Sequence, residues 1–90
     1  MKGMRDRQYE EAASEPNPTH PAHYAGDGEV DCQRAIRSML YGADRKLSPM
    51  ALFWWASALK YLWRWPWKNG AQDIDKATDC LLRLKAEAFR

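Results

Sequence analysis

From about residue 29 onward the apolar positions recur at helical spacing, and three helices account for nearly all of that stretch. The first is predicted from about Glu29 to Tyr41. Cys32, Ala35, Ile36, Met39 and Leu40 gather on one side of it, while Gln33, Arg34, Arg37 and Ser38 face outward. Gly42 ends it, and residues 42–47 form a polar connection. The second helix opens with Ser48 as N-cap and Pro49 at the first helical position. It is predicted to run to about Trp65, because Pro66 disfavours a helical conformation in the residue before it. Asn69-Gly70 marks the next turn, and the third helix is predicted over about residues 72–88 with Ile74, Ala77, Leu81, Leu84 and Ala88 facing inward. Asp73 and Asp75 near its start and Arg83 and Lys85 nearer its end complement the helix dipole. No strand pattern, repeat or heptad array is present, so the expected fold class is all-α: a compact bundle of three main helices.

The second helix is more apolar than an ordinary surface helix. Leu52, Trp55, Ala56, Leu59, Leu62 and Trp63 form one sector, and Trp54, Ala58 and Trp65 widen it to roughly 200°, where a little over 100° suffices for one core. The extra width predicts a second burial surface, most simply a neighbouring subunit. The remaining arc, holding Ser57, Lys60, Tyr61 and Arg64 with Phe53 among them, is expected to face solvent or a ligand.

Size points the same way. Residues 1–20 mix charges with Ser, Asn and Pro without a sustained apolar period and read as a flexible N-terminal arm. The folded domain is then expected over residues 21–90, a length at which a single core is marginal and a homo-oligomer is a common remedy. Five Trp, four Tyr and two Phe are a heavy aromatic load, so some rings are expected between subunits.

Net charge is only +2, but it is unevenly spread. Residues 1–47 carry seven Lys/Arg against eight Asp/Glu, and residues 48–90 carry seven against four. A modest basic excess beside the Trp-rich helix suits a few phosphates better than a long nucleic acid, which calls for a denser basic stripe. Cys32 and Cys80 show no metal or redox spacing and read as buried small residues in a reducing cytoplasm. The longest apolar run is interrupted by Lys60 and Arg64, so no membrane span is expected, and no secretory leader is read at the start of the chain.

The candidate chemistry centres on cations that recur once per turn. Lys60 and Arg64 are four residues apart and leave one face beside Tyr61 and Ser57; Lys68 follows in the turn and Lys76 on the next helix. Arg offers phosphate a planar fork and Lys a compact charge. The competing reading is a solvated basic face. His23-Tyr24 adds an imidazole and a phenol able to hydrogen-bond a base, sugar or phosphate. Asp31 and Asp73 each begin a helix, where they complement the dipole or orient Lys and Arg side chains. There is no Gly-rich phosphate loop, nucleophile elbow or His-Glu-x-x-His, so catalytic residues are not assigned, and neither a metal nor a cofactor is expected.

Five segments in order carry a resemblance: Pro21-Ala22-His23-Tyr24, the acidic helix start Asp31 to Ile36, Leu59-Lys60-Tyr61-Leu62-Trp63-Arg64, Lys68-Asn69-Gly70, and Asp73-Ile74-Asp75-Lys76-Ala77. Over roughly residues 17–85 the chain resembles a bacteriophage family of unknown function, domain of unknown function 3310, whose best-described relative is a small phage nucleotide kinase. The resemblance implies a phage origin, the cytoplasm of an infected bacterial host and a role in handling nucleotides. It marks His23, Tyr24, Lys60, Tyr61, Arg64, Lys68, Asp73 and Lys76 as candidate site residues. Ala56-Ser57 stands where the family often has Gly-Asn, and Pro66-Trp67 replaces a more polar pair.

The expectation is a helical oligomer that captures a phosphorylated nucleotide. Lys60, Arg64, Lys68 and Lys76 would hold phosphate, His23, Tyr24, Tyr61 and Ser57 would contact base or sugar, and Asp31 and Asp73 would orient the cations. Such a protein could sequester a host immune signalling nucleotide, cyclic or ADP-ribose-derived. The alternatives are a nucleoside monophosphate kinase, as in the relative, and a Trp-rich module that docks on a host protein.

Overall fold

The computed structural model describes residues 21–90, and the expected N-terminal arm lies outside them. Among the described residues there are three α-helices and no strand: α1 Cys32–Leu40, α2 Pro49–Arg64 and α3 Ala71–Ala88, with short 3-10 turns at Ala22–Tyr24, Ala43–Arg45 and Trp65–Trp67. The all-α class therefore stands. The chain divides into two units, residues 1–35 and 36–90.

In the first unit, α1 begins three residues later than the apolar pattern predicts. The Asp27 carboxylate accepts hydrogen bonds from the backbone N–H groups of Glu29 and Val30, at 2.9 and 3.1 Å, and so spends those residues on a turn. Asp31 then starts the helix, its Oδ1 accepting from the Arg34 amide at 2.7 Å. The Arg34 guanidinium reaches back to the Glu29 carbonyl at 2.8 Å.

In the second unit, Gly42 at φ +76° turns the chain out of α1, a conformation that suits glycine. Ser48 caps α2 by accepting from the Ala51 amide at 3.2 Å, with Pro49 at the first helical position. α2 ends at Arg64, one residue short of expectation, because Trp65-Pro66-Trp67 tightens into a 3-10 turn. The chain then reverses: the Gly70 amide bonds the Trp65 carbonyl at 2.8 Å, and Gly70 at φ +55° leads into α3.

The dominant packing is α2 against α3, antiparallel. Three cross-helix contacts fix the register: Trp54 with Arg83, Tyr61 with Lys76, and Arg64 with Asp73. Each step along α2 is matched by an equal step back along α3. The fully buried positions between and around these contacts are small: Ala51 and Ala58 on α2, Ala77 and Cys80 on α3. Small side chains let two backbones approach closely.

This phase differs from the expected one on both helices. On α3 the buried line is Asp73, Ala77 and Cys80, while Ile74 and Leu81 are 40% and 46% exposed. On α2 the arc expected to face outward is largely covered: Arg64 is buried, Ser57, Lys60 and Tyr61 are half-buried, and only Phe53 of that arc is exposed. Leu62, placed in the core by its hydropathy, is 47% exposed. The physical reason is that a bidentate ion pair and four small residues set the contact line, which turns the larger aliphatic side chains onto a flank. In an antiparallel pair with this register, Leu62, Ile74 and Leu81 share the flank opposite Lys60 and Lys76.

The close approach gives a direct test. Ala77→Leu should destabilise the fold by about 1–3 kcal/mol through overpacking, read as a lower urea midpoint, whereas Leu81→Ala on the exposed flank should change it by less than about 1 kcal/mol. Equal effects would contradict the assigned interface.

Candidate functional site

Two features of the helical hairpin are built from polar side chains, and they serve different ends. At the turn, Arg64 and Asp73 form a buried bidentate ion pair: Nε donates to Oδ2 and Nη2 to Oδ1, both at 3.1 Å. Asp73 is wholly excluded from solvent and Arg64 is 7% exposed. The same carboxylate accepts from the Asn69 side-chain amide at 3.2 Å and from the Asn69 backbone amide at 3.4 Å. Asp73 lies in the first turn of α3, where the helix dipole also favours an anion. The Arg64 guanidinium, followed by the Asn69 side chain, holds the Asp73 carboxyl at a pKa of about 2, against the desolvation that burial imposes.

Above this pair lies a cluster of cations on one ring. The Lys60 ammonium is 4.6 Å from the Tyr61 ring centroid, the Arg64 guanidinium carbon 4.8 Å and the Lys76 ammonium 5.6 Å. All three fall within cation–π range. Arg64 is neutralised by Asp73, but neither Lys60 nor Lys76 has a carboxylate within 4.0 Å among the described residues. Lys76 has Asp79 one turn away on its own helix, yet Asp79 is bonded to Arg83 at 3.0 Å. Two ammonium groups thus share one aromatic ring without a counter-charge.

Tyr61 and Lys76 are also walls of an open groove of about 470 Å³ between α2 and α3. Trp54, Gln72, Asp75, Asp79 and Cys80 complete its lining. Arg83 lies over the Trp54 ring at 5.0 Å. Cys80 is buried and its thiol pKa is raised, chiefly by burial and then by the Asp79 charge, so it is an inert thiol at neutral pH. The groove therefore combines an aromatic wall, a cationic edge and hydrogen-bonding side chains along one face of α3.

The remaining sequence-derived candidates divide clearly. Lys60, Tyr61, Arg64 and Lys76 are brought together, and Asp73 reaches the group through Arg64. Lys68 is exposed at the end of the Trp65–Trp67 turn, and Ser57 is half-buried on α2. His23 and Tyr24 stack on each other in the first unit, centroids 4.3 Å apart and planes at 51°. Asp31, in that same unit, serves as the start of α1. Trp54, Gln72, Asp75 and Asp79 were absent from the sequence-derived set. Gln72, Asp75 and Asp79 sit at helical spacing on the face of α3 that carries Lys76, a signal readable only once the register with α2 is known.

Residues 18–81 match the model of a family described as a protein of unknown function, DUF3310, and the chain belongs to that family. No curated protein and no solved structure matches the chain significantly. No helix among the described residues is long and apolar enough to cross a membrane.

The ion pair sets a pH dependence with a definite sign. The folded-state pKa of Asp73 is depressed to about 2 from an ordinary value of 3.8, so its contribution is complete above pH 3.8 and is lost as pH falls towards 2. Asp73→Asn should lower Tm by about 10 °C or more at pH 7, since it takes the carboxylate charge away from a buried guanidinium. The gap between wild type and variant should narrow between pH 4 and pH 2 in thermal melts followed by circular dichroism. A gap independent of pH would show that the pair does not hold the turn.

Proposed function

We propose that this member of the DUF3310 family binds a phosphorylated nucleotide in the groove between α2 and α3. The observation that carries the reading is the convergence of Lys60 and Lys76, without carboxylate partners, on the Tyr61 ring at the groove wall. Two like charges held near one ring raise each other's electrostatic cost, and an incoming phosphate relieves it. Arg64 keeps its place over the ring through Asp73, which balances its charge, so the anion-binding role falls to the two lysines. Trp54 supplies an apolar wall for a flat base. Lys68, at the exposed turn, is able to reach a second phosphate by side-chain motion.

The biological setting that fits is a phage protein acting in the cytoplasm of its host, capturing a cyclic or ADP-ribose-derived signalling nucleotide. Capture requires only affinity, and an open groove that holds its cations in place suits that task. The flank opposite the groove supports self-association: Leu62, Ile74 and Leu81 are each 40–47% exposed there, too apolar a face for a helix pair left in water. A homo-oligomer that covers this flank would leave the groove open.

Isothermal titration of the full chain with 5′-mononucleotides, diphosphates, cyclic dinucleotides and ADP-ribose tests the reading. At least one should bind more tightly than about 1 mM, and Lys60→Ala or Lys76→Ala should weaken it about tenfold at low salt. Absence of heat across the panel would overturn capture. Conversion of a nucleoside monophosphate by ATP far beyond protein stoichiometry would replace capture by phosphoryl transfer. Separately, Leu81→Glu should reduce the mass found by analytical ultracentrifugation while leaving the circular dichroism spectrum intact.

A further inference from the structure

The groove has two chemically different ends. Tyr61 on α2 meets Lys76 on α3, and Trp54 on α2 meets Arg83 on α3. On each helix the two residues stand seven positions apart, two turns or about 10 Å, so the antiparallel pair repeats one aromatic–cation arrangement along the same side. The geometry repeats but the chemistry does not. At Tyr61 the ammonium groups of Lys60 and Lys76 have no carboxylate within 4.0 Å among the described residues. At Trp54 the cation is already paired: Arg83 Nε donates to Asp79 Oδ2 at 3.0 Å while the guanidinium lies over the indole at 5.0 Å. Phe53 stands edge-on to the same indole, centroids 4.8 Å apart and planes at 74°. Trp54 and Asp79 line the groove, whereas Arg83 lies outside its lining.

Charge and flatness are thereby sorted to opposite ends. We infer that the ligand lies along the groove with its phosphate at the Tyr61 end and its base on Trp54, and that Arg83, held by Asp79, is the positioning residue for that base. This rests on the nucleotide-binding reading above. The orientation needs one phosphate and one base, so it is open to linear and cyclic nucleotides alike. An indole serves as a stacking platform when its plane is held, and here two contacts hold it, Phe53 at the edge and Arg83 over the ring. Arg83 reaches Trp54 from the other helix, and Asp79, one turn before it on α3, fixes the guanidinium. The pairing has a second effect: it offsets a carboxylate of the lining that would otherwise repel phosphate. Both partners are more than half exposed, 56% and 60%, so the pair adds little to the stability of the hairpin and its loss is felt in the groove.

Calorimetry on the full chain tests this by comparing inorganic pyrophosphate with nucleoside 5′-diphosphates of each base, in ribo and deoxy forms. The ratio of the two affinities isolates the base end. Wild type should bind at least one diphosphate about tenfold more tightly than pyrophosphate, and Trp54→Leu should bring that ratio to about one. Asp79→Ala and Arg83→Ala should each cut it about threefold, and the double variant no further, as expected when one residue acts through the other. Asp79→Ala should at the same time tighten pyrophosphate about twofold, because a carboxylate leaves the lining, a sign that a merely damaged fold would not give. Equal affinity of wild type for diphosphates and pyrophosphate would overturn the base end and leave anion binding at the lysines standing. Ratios unchanged in both single variants would overturn the role of Arg83. Silence from every probe would overturn the anion site that the nucleotide reading and this orientation share.

Discussion

The buried pair between Arg64 and Asp73 is the constraint from which the rest of the hairpin follows. They stand nine positions apart in sequence, and between them lie a 3-10 turn containing Pro66, and Gly70. Two parallel hydrogen bonds at 3.1 Å fix both the distance and the rotation of the guanidinium relative to the carboxylate. Fixing those two side chains fixes which face of α3 meets α2 at the turn, and helical regularity carries the choice along the remaining turns. Asn69 closes the carboxylate's remaining hydrogen-bonding capacity, so a charge without access to water is fully partnered. Breaking either side would leave the other buried without its counter-charge.

That choice has a consequence for the surface. Had the aliphatic stripe of α3 defined the contact, Ile74 and Leu81 would lie in the interface and Asp73 at its edge. With Asp73 at the centre, the helix is rotated so that Ala77 and Cys80 meet α2, and the aliphatic side chains move to the flank. On the other flank the same rotation brings Lys76 to Tyr61 and opens the groove lined by Gln72, Asp75 and Asp79. One ion pair therefore accounts for both an exposed apolar flank and a polar groove on the opposite side.

Much of the architecture was legible in the sequence because its signals are local. Ser48-Pro49 sets the start of α2, Gly42 and Gly70 provide the positive φ values at the two turns, and the helical periodicity of residues 49–64 and 71–88 is plain. What hydropathy could not give is the rotation of one helix against another. Scales of residue apolarity rank Ile and Leu above Ala and Cys and assign Arg and Asp to water. Close packing rewards small residues, and a partnered charge can be buried. The three residues that delayed α1 were misread for a related reason: Asp27 competes for the amides of Glu29 and Val30, an interaction invisible to periodicity.

The site was legible in the same measure. Lys60, Tyr61 and Arg64 are neighbours on one helical turn, so their grouping needed no tertiary information, and Lys76 joins them through the antiparallel return of the chain. The groove's other walls depend on register and could not be named beforehand. Arg64 illustrates how the two levels interact. Read alone it is a phosphate fork; in the fold its Nε and Nη2 are given to Asp73, and its charge reaches the ring cluster only as a held, oriented dipole of the pair. The cations of the cluster left without a carboxylate among the described residues are then the two lysines, long and flexible, near the same ring. The long lysine side chains can therefore change rotamer without disturbing the ion pair that holds the hairpin.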